Sequence, residues 1–488
     1  MATEQPQQTR RRAEHESVGS DYLERRQLRS GAAGWVLLAG LGVAYVISGD
    51  FAGWNFGLAE GGWGGLLVAT VLMATMYTCI VLALGELSST IPTSGGGYGF
   101  ARRAMGPWGG FLTGTAILIE YAIAPAAIVV FIGAYVESLG LFGITTGWPV
   151  YLAFYAVFVG IHLYGVGEAL KLIFAITVLA VIALAVFVIG MIPRFDASNL
   201  TTLVPDGSAG SSPFLPFGFV GIWTAFPFAI WFFLAIEGVP LAAEETRDPR
   251  RDLPRGLIAG MLILLVFAAL MLTLAPGGGG VEAIQDSDNP LVDALQSPAA
   301  YDGGTTLSSF VNYAGLAGLV ASFFSIIFAY SRQLFALSRA GYLPRAVSVT
   351  SGRRVPYLAL LIPGLVGFLL AAITEDGATM INIAVFGATV SYVLMMLAHI
   401  VLRSREPDLE RPYRTPGGVL TSGVALALAA AAVVATFLVD QRAALITAGV
   451  YLVAIAYFAI YSRRHLVAQA PEEEFDAIER AEAELAGS

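Results

Sequence analysis

The stretch Gly34–Phe56, GWVLLAGLGVAYVISGDFAGWNF, decides how the rest of this chain is read. It is apolar and long enough to cross a bilayer, yet Ser48-Gly49-Asp50 interrupts it near its middle and sets a carboxylate beside a helix-breaking glycine. Moving a carboxylate into hydrocarbon costs several kcal/mol on most scales. Asp50 therefore implies a compensating cation, a water-filled cavity or a protonated state, and an ionisable residue at that depth is a functional candidate.

The whole chain has the composition this stretch suggests. Its 488 residues are 56% hydrophobic and 13% charged, with a mean hydropathy of +0.72, more apolar surface than soluble cores can hide. It reads as an all-α integral membrane protein of about twelve spanning helices at roughly 20 residues each. The net charge of −9 comes largely from extramembrane acids such as Glu472, Glu473 and Glu474, which argues against nucleic acid as a partner and says little about a substrate. The single cysteine, Cys79, lies in an apolar run, so neither an intrachain disulfide nor a cysteine metal site is expected. There is no Walker loop or zinc-ligand cluster, and His15, His162, His399 and His465 are scattered, so no catalytic residue, metal or cofactor is expected.

Apolar runs bounded by Gly, Pro and charge place spans at Gly34–Leu58, Trp63–Ile91, Trp108–Val136, Trp148–Tyr164 and Ala169–Ile192. A polar loop with Asp196, Pro205 and Asp206 separates these from Phe217–Ala243, Leu253–Leu274, Phe310–Leu337, Tyr357–Ile373 and Ala378–Leu402, followed by Val419–Val439 and Ala443–Tyr461. The first thirty residues are polar and basic, without the apolar core of a cleavable signal. With that tail in the cytoplasm, Arg102, Arg103, Lys171, Arg247, Arg250, Arg251, Arg255, Arg339, Arg345 and the arginines from Arg353 to Arg464 other than Arg442 also fall on the cytoplasmic side. Only Arg194 and Arg442 fall outside, so both termini are expected in the cytoplasm and the chain in the cell membrane. The connection Pro276–Ser309 is acidic and is expected to be a soluble external loop.

Two interruptions occupy matching places in the two groups of five spans: Ile47-Ser48-Gly49-Asp50 in the first, and Ala235-Ile236-Glu237-Gly238-Val239-Pro240 in the second. Paired breaks of this kind point to an inverted-repeat transporter that binds its substrate at the midplane. Unwound backbone there supplies carbonyls for cations and amides for anions.

Three motifs then carry a resemblance. Glu86-Leu87, Ile91-Pro92-Thr93-Ser94-Gly95-Gly96-Gly97-Tyr98 and Gly106-Pro107-Trp108-Gly109-Gly110-Phe111 form one; the others are Ala242 to Pro254 and Ser338-Arg339-Ala340-Gly341-Tyr342-Leu343-Pro344. Together they resemble the amino acid, polyamine and organocation permeases over nearly all of 34–402. Within that superfamily, Ser48-Gly49-Asp50-Phe51 with Gly53-Trp54-Asn55-Phe56-Gly57-Leu58 and Gly61-Gly62-Trp63-Gly64-Gly65 is most similar to the ethanolamine permease branch. The resemblance implies a leucine-transporter-like core of two inverted five-helix repeats with two extra C-terminal helices, working by alternating access. The chain then divides into a cytoplasmic tail (1–32), a first repeat (33–192), an external loop (193–217), a second repeat (218–403), two peripheral helices (404–463) and an acidic tail (464–488).

The same resemblance assigns Ser48, Gly49, Asp50, Trp231, Ala235 and Glu237 to the substrate site. Amino acid permeases of the family usually carry an apolar residue where Asp50 stands. A fixed negative charge there repels a carboxylate, and at about 4 Å and an effective dielectric near 20 it attracts an ammonium by roughly 4 kcal/mol before desolvation. The expected substrate is therefore ethanolamine or a similar small monoamine, with cationic or neutral amino acids or polyamines as the alternative. Glu237 stands where relatives place an acid after Gly-Phe, here Ala235-Ile236, and is a candidate for ammonium or proton. Trp231 is either an aromatic lid over the substrate or a packing residue.

Glu120, Tyr121 and Glu86 are candidates for proton coupling or gating, and Glu120 can equally be a neutral acid bonded within the bundle. Proton-coupled relatives often place a lysine where Ala180 stands, and Lys171 lies roughly 13 Å away at 1.5 Å per residue. Ser322 and Ser325 are separated by two phenylalanines, unlike the adjacent hydroxyls of sodium-coupled relatives. The implied partners are a small amine, protons and the lipid bilayer; the sequence sets no oligomeric state. A channel is the competing class.

Overall fold

A computed structural model describes residues 15–16, 33–93, 95–140, 143–164, 169–467 and 470. Among them ten helices are long and apolar enough to cross a bilayer, and two shorter apolar helices, Trp35–Val46 and Trp148–Tyr164, complete a set of twelve. Each expected span is occupied by helix, in the expected order. The expected membrane protein is therefore present, with changes at the ends and breaks of several spans.

The first span is α1 (Trp35–Val46) and a single turn, α2 (Ser48–Phe51). Ser48-Gly49-Asp50 was expected to be the interruption, but these residues are helical, and only Ile47 parts them from α1. The chain leaves the helix one turn later, where Ala52 is extended and Gly53 adopts φ 95°, a conformation that glycine reaches without a Cβ penalty. The next helix, α3 (Phe56–Thr90), therefore includes the expected end of the first span and is itself broken at Gly62 (φ 64°), beside the Pro216 ring.

Helix α4 (Gly97–Ser138) bends at Gly106, where a positive φ precedes Pro107, which has no N–H to offer. Helices α5 (Trp148–Tyr164) and α6 (Ala169–Met191) close the first group. The second group opens with α7 (Gly218–Thr224) and α8 (Phe226–Trp231), so the expected span Phe217–Ala243 is broken, as its Gly and Pro suggested. The break centres on Ala235 (φ 78°), and the chain continues as a 3₁₀ segment, Ile236–Glu245, that carries Pro240.

Helix α9 (Pro249–Gly279) is longer than expected: Pro249 starts it, and it runs past Leu274 through Ala275, Pro276 and three glycines. The connection Pro276–Ser309 is not a featureless loop: it contains α10 (Val281–Ile284) and α11 (Pro290–Gln296), whose apolar residues are buried. Thr305 then caps α12 (Thr306–Arg339), accepting the Ser308 N–H at 3.1 Å while Ser308 Oγ takes the Thr305 N–H at 2.9 Å.

Helix α13 (Tyr357–Thr374) precedes α14 (Gly377–Arg405), which Asp376 caps. The bundle centre is the crossing of α14 on α4, where Gly387 meets the backbone around Glu120, an approach that leaves little room for a side chain. Helices α15 (Val419–Val439) and α16 (Gln441–Ile460) lie outside this core, and α16 leaves Leu445, Leu452, Val453 and Ile460 exposed, as a lipid-facing helix does.

Strand β1 (His15–Glu16) pairs in parallel with β2 (Leu466–Val467), so segments near the two ends of the chain meet on one face. Glu168 and the acidic tail beyond Pro471 lie outside the described residues.

Candidate functional site

The structure separates the candidate residues into three groups. The first surrounds the break in the opening span. The Ser48 and Ser322 hydroxyls are 2.8 Å apart, and Ser322 Oγ donates to the Tyr45 carbonyl at 2.8 Å, so α12 is pinned to both sides of Ile47. Ser325 instead donates to Ala321 on its own helix. A Cβ on Gly49 would strike the Trp231 carbonyl, so the glycine permits α2 to lie directly on α8.

Asp50 is 1% exposed, and neither carboxylate oxygen has a hydrogen-bond partner among the described residues. An acid so placed needs a proton or a cation from elsewhere. The carbonyls just beyond it are already occupied: Tyr135 donates to Phe51 at 3.1 Å, and the Trp231 indole N–H donates to Ala52 at 3.0 Å. Trp231 thus holds the break in place, packing against Gly53 and edge-on to Phe131.

The second group lies at the other break. Tyr121 donates to Glu237 Oε1 at 3.2 Å, and the neighbouring acid Glu120 is buried with neither carboxylate oxygen hydrogen-bonded among the described residues. Neighbouring buried carboxylates repel one another, and a proton on one of them removes that repulsion. The Tyr392 hydroxyl adjoins Glu237 and lies 2.8 Å from that of Tyr77. This buried cluster draws on α3, α4, α14 and the 3₁₀ segment. Tyr77 and Tyr392 escaped the sequence reading, since a tyrosine within an apolar span looks like any other core aromatic.

Ala235, expected to line the substrate site, forms the break itself in a left-handed conformation that costs a non-glycine residue roughly 1–2 kcal/mol. Ala180, at the position expected of a coupling lysine, is buried beside Gly318 and Phe51, and their apolar packing leaves no charged group at that point.

Glu86 belongs to neither group. It accepts from Arg403 Nε at 2.9 Å and from Arg403 Nη2, and from the Thr415 N–H at 2.7 Å, forms an ion pair with Arg411 Nε at 3.0 Å, and has His399 Nε2 3.4 Å away. This network ties α3 to α14 and to the segment leading into α15, so Glu86 serves as an anchor rather than as part of the midplane site. Two more ion pairs, Arg332–Glu245 and Arg339–Glu244 (2.9 Å), join α12 to the end of the 3₁₀ segment on the face that carries the termini. There Ala33 and Thr246 also form a parallel bridge.

The sequence profile described as Amino acid permease matches residues 36–472, from α1 to just past β2. The chain belongs to the amino acid permease family. This permease is 30% identical to an uncharacterized transporter of Rhizobium meliloti (strain 1021), over 82% of its own length and 85% of the relative's. It is 27% identical to the branched-chain amino acid permease BcaP of Bacillus subtilis (strain 168), covering 74% and 78% of the two chains. A methylthioribose transporter of the same strain is 24% identical over 76% and 79%. Like those relatives, the permease is a multi-pass membrane transporter, and its two broken helices carry the buried acids described above.

Proposed function

We propose that this permease imports ethanolamine or a similar small primary amine across the cell membrane by alternating access, with its termini in the cytoplasm. The observation that carries this reading is the isolation of Asp50, a buried carboxylate in a broken span with no partner among the described residues. A primary ammonium brings three donors and one positive charge to such a group. The hydroxyls of Ser48 and Ser322, already bonded to each other, keep the adjoining turn fixed, so the charge is presented without rearrangement.

The Glu120–Glu237 pair, with Tyr121, Tyr392 and Tyr77, is the candidate carrier of a coupled proton. A proton held on one of two neighbouring acids is released more readily when the other is drawn away, and the 3₁₀ segment that carries Glu237 adjoins the Ala235 break. Relatives named as amino acid permeases support a second reading, in which the substrate is an amino acid and Asp50 takes its ammonium end while backbone amides take the carboxylate.

Proteoliposome uptake of labelled ethanolamine, serine, arginine and putrescine, with and without an imposed pH gradient, tests both readings. The amine reading expects ethanolamine uptake that saturates and that Asp50→Asn lowers by tenfold or more. Uptake of serine without ethanolamine, or an Asp50→Asn protein as active as the parent, would overturn it.

A further inference from the structure

Past α16 the chain turns back across the end of α12 that carries Arg339. A 3₁₀ turn, Ser462–Arg464, leads into β2, and this strap is fastened to the turn that closes α12. Ser462 Oγ donates to the Tyr342 carbonyl at 2.7 Å, and Val467 N donates to the Ala340 carbonyl at 3.0 Å. Gly341, between those two acceptors, has φ 85° and lies so close to the His465 carbonyl that a Cβ would strike it. The strap also closes a small core: Leu466, Val467 and Ala470 are buried, and Leu466 and Ala470 join one apolar cluster with Tyr98, Phe111, Leu337 and Tyr342. Tyr342 meets Tyr98 edge-on at 5.6 Å and stacks on Phe111 at 5.9 Å, so α4, the end of α12 and the strap pack as one unit.

The residue just before Ala340 is Arg339, whose Nη2 pairs with Glu244 at 2.9 Å, at the end of the 3₁₀ segment Ile236–Glu245. A helix leaves its last carbonyls without partners of its own. Ala340, the C-cap of α12, finds one in the Val467 N–H, and Tyr342 finds one in the Ser462 hydroxyl. Without the strap both carbonyls turn to water, the last turn frays, and Arg339 loses the fixed backbone that aims it. Arg332 lies about two turns further inside the helix and keeps its pair with Glu245.

We infer that Ser462 and Val467 are positioning residues for the ion-paired face: by fixing the Ala340–Tyr342 turn they hold Arg339 against Glu244, and so set how readily the 3₁₀ segment parts from α12. The strap tunes this closure rather than making it, because the Arg332–Glu245 pair stands without it. Its place in a transport cycle rests on the alternating-access reading above, in which that segment and α12 separate for the face to open. A strap that slips loosens the face and speeds its opening; a seated strap slows it.

Hydrogen exchange of the purified, substrate-free protein tests the strap without reference to the transported solute, so its failure is distinct from failure of the amine reading. Deletion of residues 462–488 removes both bonds, and one net hydrogen bond shifts an opening equilibrium about fivefold. Peptides from 236–245 are therefore expected to exchange at least about threefold faster, while those from 281–296, at the far end of α9, keep their protection. Val467→Pro keeps the tail but has no N–H for Ala340; it is expected to change exchange in the same direction, and decides the question should the shortened chain fail to fold. In an Arg339→Gln background the deletion is expected to add less than about 1.5-fold, because the route through Arg339 is already cut. Faster exchange confined to 336–347, an unmoved 236–245 segment in the folded variant, or the full effect persisting with Arg339→Gln overturns the inference.

Discussion

Glu86→Gln should destabilise the permease more than Arg403→Ala, although both break the same ion pair. Removing the glutamate charge leaves Arg411 with its guanidinium 9% exposed. Its hydrogen bonds to the Pro407, Leu409, Leu402 and Glu406 carbonyls remain, but its charge has lost its counterion. An uncompensated buried charge costs about 3–5 kcal/mol. Removing Arg403, which is 24% exposed, leaves Glu86 still ion-paired with Arg411 and bonded to the Thr415 N–H. The loss is then that of charged hydrogen bonds partly replaced by water, about 1–2 kcal/mol. Because the residues share one network, Glu86→Gln with Arg403→Ala should cost less than the sum of the single changes, by about 1 kcal/mol. Equilibrium unfolding by SDS titration in mixed micelles measures all three values. Equal losses for the two single variants, or strict additivity in the double, would show that Glu86 is not the centre of the network.

Ala235→Gly should raise stability by about 1 kcal/mol in the same titration, since glycine adopts φ 78° without the penalty alanine bears; a loss of stability would mean that the alanine methyl contributes packing worth more than the strain. Trp231→Phe keeps a ring between Gly53 and Phe131 but removes the N–H on the Ala52 carbonyl, and should cost about 1–3 kcal/mol, because a buried acceptor is left unpaired. Ser322→Ala should cost a similar amount and speed exchange of the amides around Ile47, whereas Ser325→Ala, whose hydroxyl bonds only within its own helix, should stay within about 0.5 kcal/mol of the parent. Gly49→Ala should prevent folding or detach α2 from α8, seen as loss of the monodisperse peak in size-exclusion chromatography, because its Cβ meets backbone rather than a movable side chain.

The spans could be read from the chain because a bilayer demands long apolar runs, and arginine clusters close most of them. The position of the first break could not. Serine, glycine and aspartate are poor helix formers, but a single turn tolerates all three, and the positive φ at Gly53 decides where the chain turns. Asp50 and Glu237 stood out as acids within apolar sequence, and Ala235 as the change from the usual glycine. Their surroundings were hidden, because the partners lie far apart in the chain: Arg403 is 317 positions from Glu86, and Tyr392 is 315 from Tyr77. Asn55 looked like part of a glycine-rich motif, and only the folded chain reveals its bonds to the Ile284 and Ser287 carbonyls.

The contacts that close the two faces differ in kind, and the difference bears on which face yields first. The face with the termini is held by Arg332–Glu245 and Arg339–Glu244, in which both arginines are almost fully buried. Each arginine also lies over a phenylalanine ring, Phe328 and Phe335 respectively, so the guanidinium has an apolar bed as well as a carboxylate. Parting such a pair before water enters costs about 3–5 kcal/mol. The opposite face is held by neutral hydrogen bonds from Asn55, Asn289, Tyr135 and Trp231, each worth about 1 kcal/mol net and readily exchanged for water. In the proposed alternating-access cycle that face would open in small steps, while the ion-paired face would open only once something offsets the separated charges. Under the proposed function, a cationic substrate beside Asp50 or a proton on Glu120 or Glu237 would change the field near that second face, since Glu237 and Glu245 lie towards the two ends of one 3₁₀ segment. Coupling between the substrate and the terminal face then needs no long relay, only this ten-residue segment moving as a unit.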